Sequence, residues 1–283
     1  EFLQESKAIH DTIKPHAIVL GGYRTQFMSK TRKFFSRFNP NTPIIITNHQ
    51  TAEMIKYANN SFLATKISFI NQLASICQEI PDTNIDDIAQ TIGLDPRIGN
   101  LFLNAGPGYG GSCLPKDMKA IINLSSKIGV NPTMFNAVEK TNKQQINNII
   151  ELIKQNIGKI KGKKITVLGV AFKPNTDDVR DSTSIELIRR LIKSGAIVKI
   201  HDPKALDNAR KIFRDRIKYA NSIPSALKNS QCAIIMTKWK EYEGINNKTT
   251  KYMAKKFIVD TRRILSNKNL DAKYYGIGLG QKI

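Results

Sequence analysis

The sequence predicts an α/β protein in three parts: the tail of a Rossmann domain, a central all-helical domain on a long spine helix, and a C-terminal Rossmann-like domain with a parallel sheet. Three observations carry this. From Thr51 to Glu79 there is no proline or glycine, and apolar side chains return at helical intervals. Beyond Gly158–Lys164 (GKIKGKK), short β-branched runs alternate with helical ones, the pattern of parallel strands joined by right-handed crossovers. Ahead of Thr51, two apolar runs flank one amphipathic helix. The boundaries follow at 1–48, 49–157 and 158–283, with GKIKGKK as the linker between the last two.

Each element has its own reason. Ile18–Gly22 (IVLGG) reads as a short buried strand, Thr25–Phe38 as an amphipathic helix and Pro43–Thr47 as a second strand. No G-x-G-x-x-G stands between a strand and a helix anywhere, so the dinucleotide fingerprint of a Rossmann domain is expected to be missing, as in a fragment. Met54, Ile55, Ala58, Phe62, Ile67, Ile70, Leu73 and Ile76 make a broad apolar stripe on the spine, suited to a domain connector or a dimer seam. Thr83–Ile92 is a helix capped near Thr83 or Asn84 and ended by Gly93. Pro115–Ile128 and Pro132–Asn156 follow, the latter burying Val138, Ile146, Ile149 and Ile153. In the last part, strands are expected at Lys164–Val170, Ile197–His201, Cys232–Thr237, Phe257–Asp260 and Tyr274–Ile277. Helices are expected between them at Ser184–Lys193, Ser222–Lys228 and Thr249–Lys256. Ligands of such sheets bind at the carboxyl ends of the strands.

Composition narrows the class. At 283 residues the chain can hold two domains, or one domain with appended pieces, and no apolar run approaches the length of a membrane span. The opening EFLQESKAIHDTIK lacks the pattern of a secretory signal, and three scattered cysteines make no disulfide framework, which fits a reducing cytoplasm. A net charge of +21 invites a nucleic-acid reading, but the lysines are spread thinly along helices, without zinc-finger spacing or aromatic-interleaved RNA motifs. A doubly anionic small molecule is the better partner for that surface. No nucleic acid, membrane or metal partner is expected.

The chemistry concentrates in Asn104–Asp117, NAGPGYGGSCLPKD. Gly106, Gly108, Gly110, Gly111 and Pro107 make a loop of little bulk whose backbone N–H groups can approach a ligand. Cys113 follows, then Pro115, which suits a first helical turn. A thiol just ahead of a helix N-terminus, with Lys116 nearby, is placed to carry negative charge. Asp117, four residues on, shares its face. Cys77, on an apolar helix face, and Cys232, inside CAIIMT, read as core cysteines. GVAFKPNTDDVRDS, after the first C-terminal strand, is a second functional stretch. Asp202 in HDP could mimic a ribose-binding acid or merely turn the chain.

GGSCLPKD resembles the active-site motif of the UDP-glucose/GDP-mannose dehydrogenase family. Glu53–Asn71, Asp95–Asp117 and Val167–Ser184 resemble that family too, in the same order and spacing, so the likeness runs through nearly all of the chain. It implies oxidation of the C6 alcohol of a nucleotide sugar to a carboxylate with two NAD, through a thiohemiacetal and a thioester on Cys113. UDP-glucose is the first substrate implied, GDP-mannose and UDP-N-acetylhexosamines the next. A nucleotide-sugar-binding fragment without turnover is the rival class.

The resemblance also implies roles. Glu1 handles acid–base work on water with Asp117. Lys56 holds the developing oxyanion and Asn60 positions water or the C6 oxygen. Glu5, Phe2, Leu3, Tyr109, Gly110, Phe172 and Lys173 face the substrate, and Arg262 binds the sugar nucleotide. Glu5, Lys116 and Arg180 are given to the cofactor. Arg97 is implied to reach across a homodimer interface to the partner's substrate. The family usually has glycine where Thr261 stands, which sets Arg262 in a changed context.

Overall fold

The computed structural model describes residues 2–3 and 7–281. It divides into two compact units, Glu1–Phe62 and Leu63–Ile283. In the first, α1 (Ala8–Ile13) leads to β1 (Ile18–Gly21), α2 (Thr25–Phe38) and β2 (Ile44–Thr47), and then the start of α3 (His49–Glu79). β1 and β2 pair in parallel from Ile18↔Ile44 to Gly21↔Thr47, the βαβ unit that the sequence predicts. The strand expected to be buried is half-buried along its length. α3 starts before the expected Thr51 because the Asn48 side chain accepts the Thr51 N–H at 2.8 Å and caps it.

The second unit continues α3 and adds α4 (Ile85–Gly93), α5 (Leu114–Lys127) and α6 (Thr133–Ile157). Asn84 caps α4 by accepting the Asp86 N–H at 3.0 Å. Then come β3 (Lys164–Leu168), α7 (Thr183–Lys193), β4 (Ile197–His201), α8 (Leu206–Phe213), β5 (Lys218–Tyr219) and α9 (Ile223–Leu227). The chain ends through β6 (Cys232–Ile235), α10 (Asn247–Thr250), β7 (Phe257–Asp260) and β8 (Lys273–Gly276). All six strands run parallel in the order β5-β4-β3-β6-β7-β8. Counted within this sheet the order is 3-2-1-4-5-6, that of a complete doubly wound Rossmann sheet whose direction of winding reverses between β3 and β6.

Strands buried on both faces explain the continuous apolar runs: β6 and β7 are buried at every residue. One core passes from Ile70 on α3 and Ile85 on α4 through Ile149 and Ile153 on α6 into the sheet at Ile165, Val167, Ile234 and Phe257. Ile160, in the stretch expected as a linker, belongs to the same core. A smaller core joins Ala64, Tyr109, Met118 and Val138.

The expected helix at Thr249–Lys256 is instead the short α10. Asn246 starts it early with a reciprocal capping box. The following residues leave it because the Ala254 and Lys255 N–H groups donate to the Ser230 carbonyl, at 2.8 and 3.2 Å. Helices α1 and α8 and the two-residue β5 were not among the expected elements. All three are short, with too little periodicity to stand out.

Candidate active site

The glycine loop is pinned from two helices. Asn71 of α3, fully buried, accepts the Gly106 N–H through Oδ1 at 2.7 Å. Asn142 of α6 brackets Tyr109, accepting its N–H at 2.7 Å and donating to its carbonyl at 3.0 Å. The loop therefore has a fixed shape before any ligand arrives. Its glycines also admit protein. A side chain at Gly110 would stand 2.4 Å from the Asp181 carbonyl oxygen, and one at Gly111, whose φ is +83°, would stand 2.7 Å from the Phe172 ring. The loops that follow β3 and β7 thus meet the glycine loop at the carboxyl edge of the sheet.

Cys113 emerges at the end of this loop. It is exposed, it is the residue from which α5 begins, and Pro115 lies in the first turn of that helix. Its Sγ lies 3.7 Å from the Ser112 hydroxyl. Cys77 and Cys232 are buried, as their apolar settings predict, and burial pushes the Cys232 thiol far up. The Asp117 N–H donates to the Cys113 carbonyl at 3.0 Å, the first-turn contact that places both on α5. Asp117 is only 2 % exposed, and its carboxylate takes a 2.6 Å ion pair from Lys116. A thiol facing water thus adjoins a carboxylate that is buried and held.

Arg262 stands on the other side of the loop. Its Nε donates to the Met236 carbonyl at 2.9 Å, and its Nη1 lies 2.8 Å from where a Gly106 side chain would begin. Both Nη groups are without hydrogen-bond partners among the described residues. Burial and the neighbouring Arg263 push its pKa down to about 10, so it keeps its charge at neutral pH. A half-buried, charged guanidinium with its fork unspent is suited to an anion. Thr261, standing where the family usually has glycine, is buried and donates its hydroxyl to the Ile235 carbonyl at 2.7 Å. Its φ is not positive, so nothing in this backbone demands glycine there.

The other predicted residues fall in different places. Phe172 packs on Gly111, with the Lys173 ammonium 5.4 Å from its ring centroid. Tyr109, expected to face substrate, is 5 % exposed; its hydroxyl donates to Glu139 at 3.2 Å, and burial beside that carboxylate pushes the phenol far up. Its backbone is spent on Asn142 as well, so its part is to hold the loop. Arg97 and Arg180 are exposed, each forked onto the aspartate two residues before it. Lys56 and Asn60 belong to the first unit, where Asn60 is buried and accepts from the Asn59 amide at 3.2 Å. In the same unit the Phe2 ring stands 5.0 Å from His16, and Leu3 is exposed. Glu1 and Glu5 lie outside the described residues.

The Rossmann order makes the crevice between β3 and β6 the place to look for a dinucleotide. Protein fills it. Asp202 follows β4, where a ribose-binding acid would stand. Its Oδ2 accepts the N–H groups of Val170 and Ala171 at 2.6 and 3.0 Å and the Trp239 indole at 3.2 Å; its Oδ1 accepts those of Lys204 and Ala205. A side chain at Gly169 would stand 2.5 Å from Thr237. Both Asp202 oxygens are already filled by protein donors, so this sheet does not fit NAD at its winding reversal.

Four residues of consequence escaped the sequence reading. Asn71 and Asn142 are the loop anchors; a lone asparagine within an apolar helical stripe, as at Asn71, is the signal that could have found the first. Arg263 and Asp86 are the others. The Arg263 side chain is 4 % exposed; it forks onto Asp86 at 2.8 and 2.8 Å and donates to the carbonyls of Ala105 and Ile277 at 3.1 and 3.0 Å. It ties α4, the glycine loop and the end of the sheet together.

Two family models match. Residues 50–144 match the UDP-glucose/GDP-mannose dehydrogenase family, central domain, and residues 166–267 match its UDP binding domain. The UDP-glucose 6-dehydrogenase of Rickettsia felis is 39% identical over 98% of this chain and 63% of its own length. The UDP-glucose 6-dehydrogenase TuaD of Bacillus subtilis is 38% identical over 98% of this chain and 60% of its own length. Among solved structures, a UDP-glucose dehydrogenase from the archaeon Pyrobaculum islandicum superposes with a TM-score of 0.91 at 34% identity, over 99% of this chain and 62% of the other. The chain thus spans about three-fifths of the length of the relatives it matches.

Proposed function

The chain belongs to the UDP-glucose/GDP-mannose dehydrogenase family, and we propose that it serves the oxidation of UDP-glucose at C6 to the carboxylate, with Cys113 as the covalent nucleophile. The observation that carries this is the placement of an exposed thiol at the start of α5, at the end of a loop fixed by Asn71 and Asn142 and flanked by Arg262. UDP-glucose is preferred over GDP-mannose or a UDP-N-acetylhexosamine because the relatives compared above are named for it.

NAD, when bound, takes up the hydride in each of two oxidations; none of its site lies at the winding reversal of the C-terminal sheet. The first hydride leaves C6 while the hydroxyl proton goes to a carboxylate, giving the aldehyde. The Cys113 sulfur then adds to C6, forming a C–S bond and a thiohemiacetal. Loss of the second hydride makes the thioester. Water adds to it, the C–S bond breaks, the thiol regains a proton and the carboxylate departs. Asp117, buried against Lys116, orders water and protons in this reading. Lys56 and Asn60 carry the oxyanion and water-positioning roles that the resemblance gives them, and Glu1 and Glu5 keep theirs. Phe172, Lys173 and Arg262 receive the nucleotide sugar, and Lys116 and Arg180 the cofactor. The parts 1–48, 49–157 and 158–283 divide the work.

A homodimer belongs to this reading. Phe69 and Ile76 are exposed seven residues apart on α3, with Leu101 and Phe102 also exposed. Arg97 would reach the partner's substrate by leaving Asp95. A cytoplasmic setting fits the chemistry; among the described residues no helix is long and apolar enough to cross a membrane.

The test is Cys113→Ser in an intact enzyme, assayed with UDP-glucose and NAD. Carboxylate formation should fall by at least about a hundredfold while UDP-glucose binding, measured by calorimetry, persists. Alkylation of Cys113, followed by mass spectrometry, should be slowed at least about tenfold by saturating UDP-glucose. Unchanged turnover in the variant, or alkylation indifferent to the nucleotide sugar, overturns the assignment.

A further inference from the structure

At the amino-terminal edge of the C-terminal sheet, opposite the glycine loop, four lysines surround a cavity of about 110 Å³. Lys164 opens β3, Lys199 lies within β4, Lys218 opens β5, and Lys228 follows α9. Ile165, Ile197, Asn229 and Ser230 complete much of the wall, and no carboxylate lines it. The volume is several times what one water needs.

The register makes the charge costly. Lys199 and Lys218 are direct partners across the β4–β5 pair, and like charges set opposite each other destabilise a sheet. Neither they nor Lys164 and Lys228 make an ion pair with a carboxylate among the described residues. Lys199 is fixed by donating to the carbonyls of Ser225 and Lys228 at 2.8 and 2.9 Å, which leaves one proton on its ammonium free to point elsewhere. Burial lowers its hold on that proton, and Lys218, Lys164 and Lys228 each lower it further.

We propose that this lysine-lined cavity is a second anion site, separate from the glycine loop, which takes a small phosphate or diphosphate group. An ammonium binds phosphate as a point charge and asks for no fixed fork, so converging lysines can serve without the geometry an arginine would impose. One oxyanion in the cavity cancels the repulsion across the β4–β5 pair and couples its binding to the stability of that edge. A concave wall with one anchored ammonium favours a small anion over an extended polymer, which would need a flat stripe.

Calorimetry and thermal unfolding with inorganic phosphate and with pyrophosphate, at ionic strength held constant with sodium chloride, test this. Saturable binding is expected, with a rise in Tm that follows it. The double variant Lys164→Ala/Lys218→Ala should weaken that binding at least tenfold, and Lys127→Ala, outside the cavity, should leave it unchanged. Lys218→Glu, which removes the like-charged pair, should by itself raise the Tm measured without phosphate. Binding undiminished in the double variant, binding lost instead in Lys127→Ala, or an adventitious ionic-strength effect without saturation would each overturn the site. So would affinity for duplex DNA or anionic vesicles with none for the small anions.

Discussion

Three turns in this chain share the pattern Asp-x-Arg: Asp95-Pro96-Arg97, Asp178-Val179-Arg180 and Asp260-Thr261-Arg262. In each, the aspartate Oδ1 accepts the backbone N–H of the arginine, at 2.9, 2.8 and 3.0 Å. There the likeness ends. Arg97 and Arg180 fold back and fork onto their own aspartate in nearly the same geometry. Arg262 does not, because Asp260 is fully buried and its second oxygen already serves the Leu265 N–H at 2.9 Å and the Tyr274 hydroxyl at 3.1 Å. Its guanidinium turns instead to the Met236 carbonyl and the glycine loop. A local motif sets the turn; what the acid must hold elsewhere decides whether the arginine is parked or presented.

Breaking the three acids should separate them most. Asp260→Ala leaves three donors without an acceptor in a buried place, and at roughly 1–1.5 kcal/mol each should cost about 3–4.5 kcal/mol in chemical denaturation. Asp95→Ala frees an arginine that water already solvates, and should cost far less. Equal losses would mean that burial does not divide the turns. Arg263→Ala comes next. Its partner Asp86 is half-exposed, so water replaces part of that pair, but the Ala105 and Ile277 carbonyls lose their donor. A loss of about 2–3 kcal/mol is expected, with weaker UDP-glucose binding as the glycine loop loosens. Stability lost without any change in binding would show that the clamp does not reach the loop. Gly110→Ala should follow at about 1–3 kcal/mol, because a methyl 2.4 Å from the Asp181 carbonyl forces backbone apart. A neutral alanine there would mean that the two loops are not in contact.

Much of this was open to reading and some was closed to it, for one physical reason. Periodicity and local chemistry are carried by neighbours in sequence. Hence β3, β4, β6 and β7, the spine α3, and the start of α5 at Cys113 could be expected from residues a few places apart. Asp117 on α5 follows from the same kind of local spacing. The fate of a polar side chain is settled by partners far along the chain. Arg263 meets Asp86 across 177 positions, Asn71 meets Gly106 across 35, and Asp202 gathers donors from the loop after β3 and from Trp239. A run such as HDP or TRR looks alike whether its charge is spent or free. Tyr109 shows the same limit in reverse, its motif position inviting a ligand while α6 takes both its backbone groups and its hydroxyl.

The smallest effect probes the comparison most finely, through protons. Asp95 is partly exposed, and the Arg97 guanidinium, then the Arg97 N–H, hold its carboxyl below the usual aspartate range. Its contribution to stability is therefore present above the unfolded aspartate value of about 4 and is lost as the pH falls through the lower folded value. Asp260 moves the other way: burial raises it, against the pull of its hydrogen bonds. Between the unfolded value and the raised folded one the folded state holds the extra proton, so stability falls as the pH rises through that window. Carbon-13 NMR of the two carboxyl groups should show midpoints on opposite sides of the ordinary value. Replacing Arg97 with Gln should bring Asp95 back toward that value and leave Asp260 where it was. If both midpoints fell on the same side, the shared turn would outweigh the difference in burial, and Arg262 would have to be held away from Asp260 by something other than the acid's other duties.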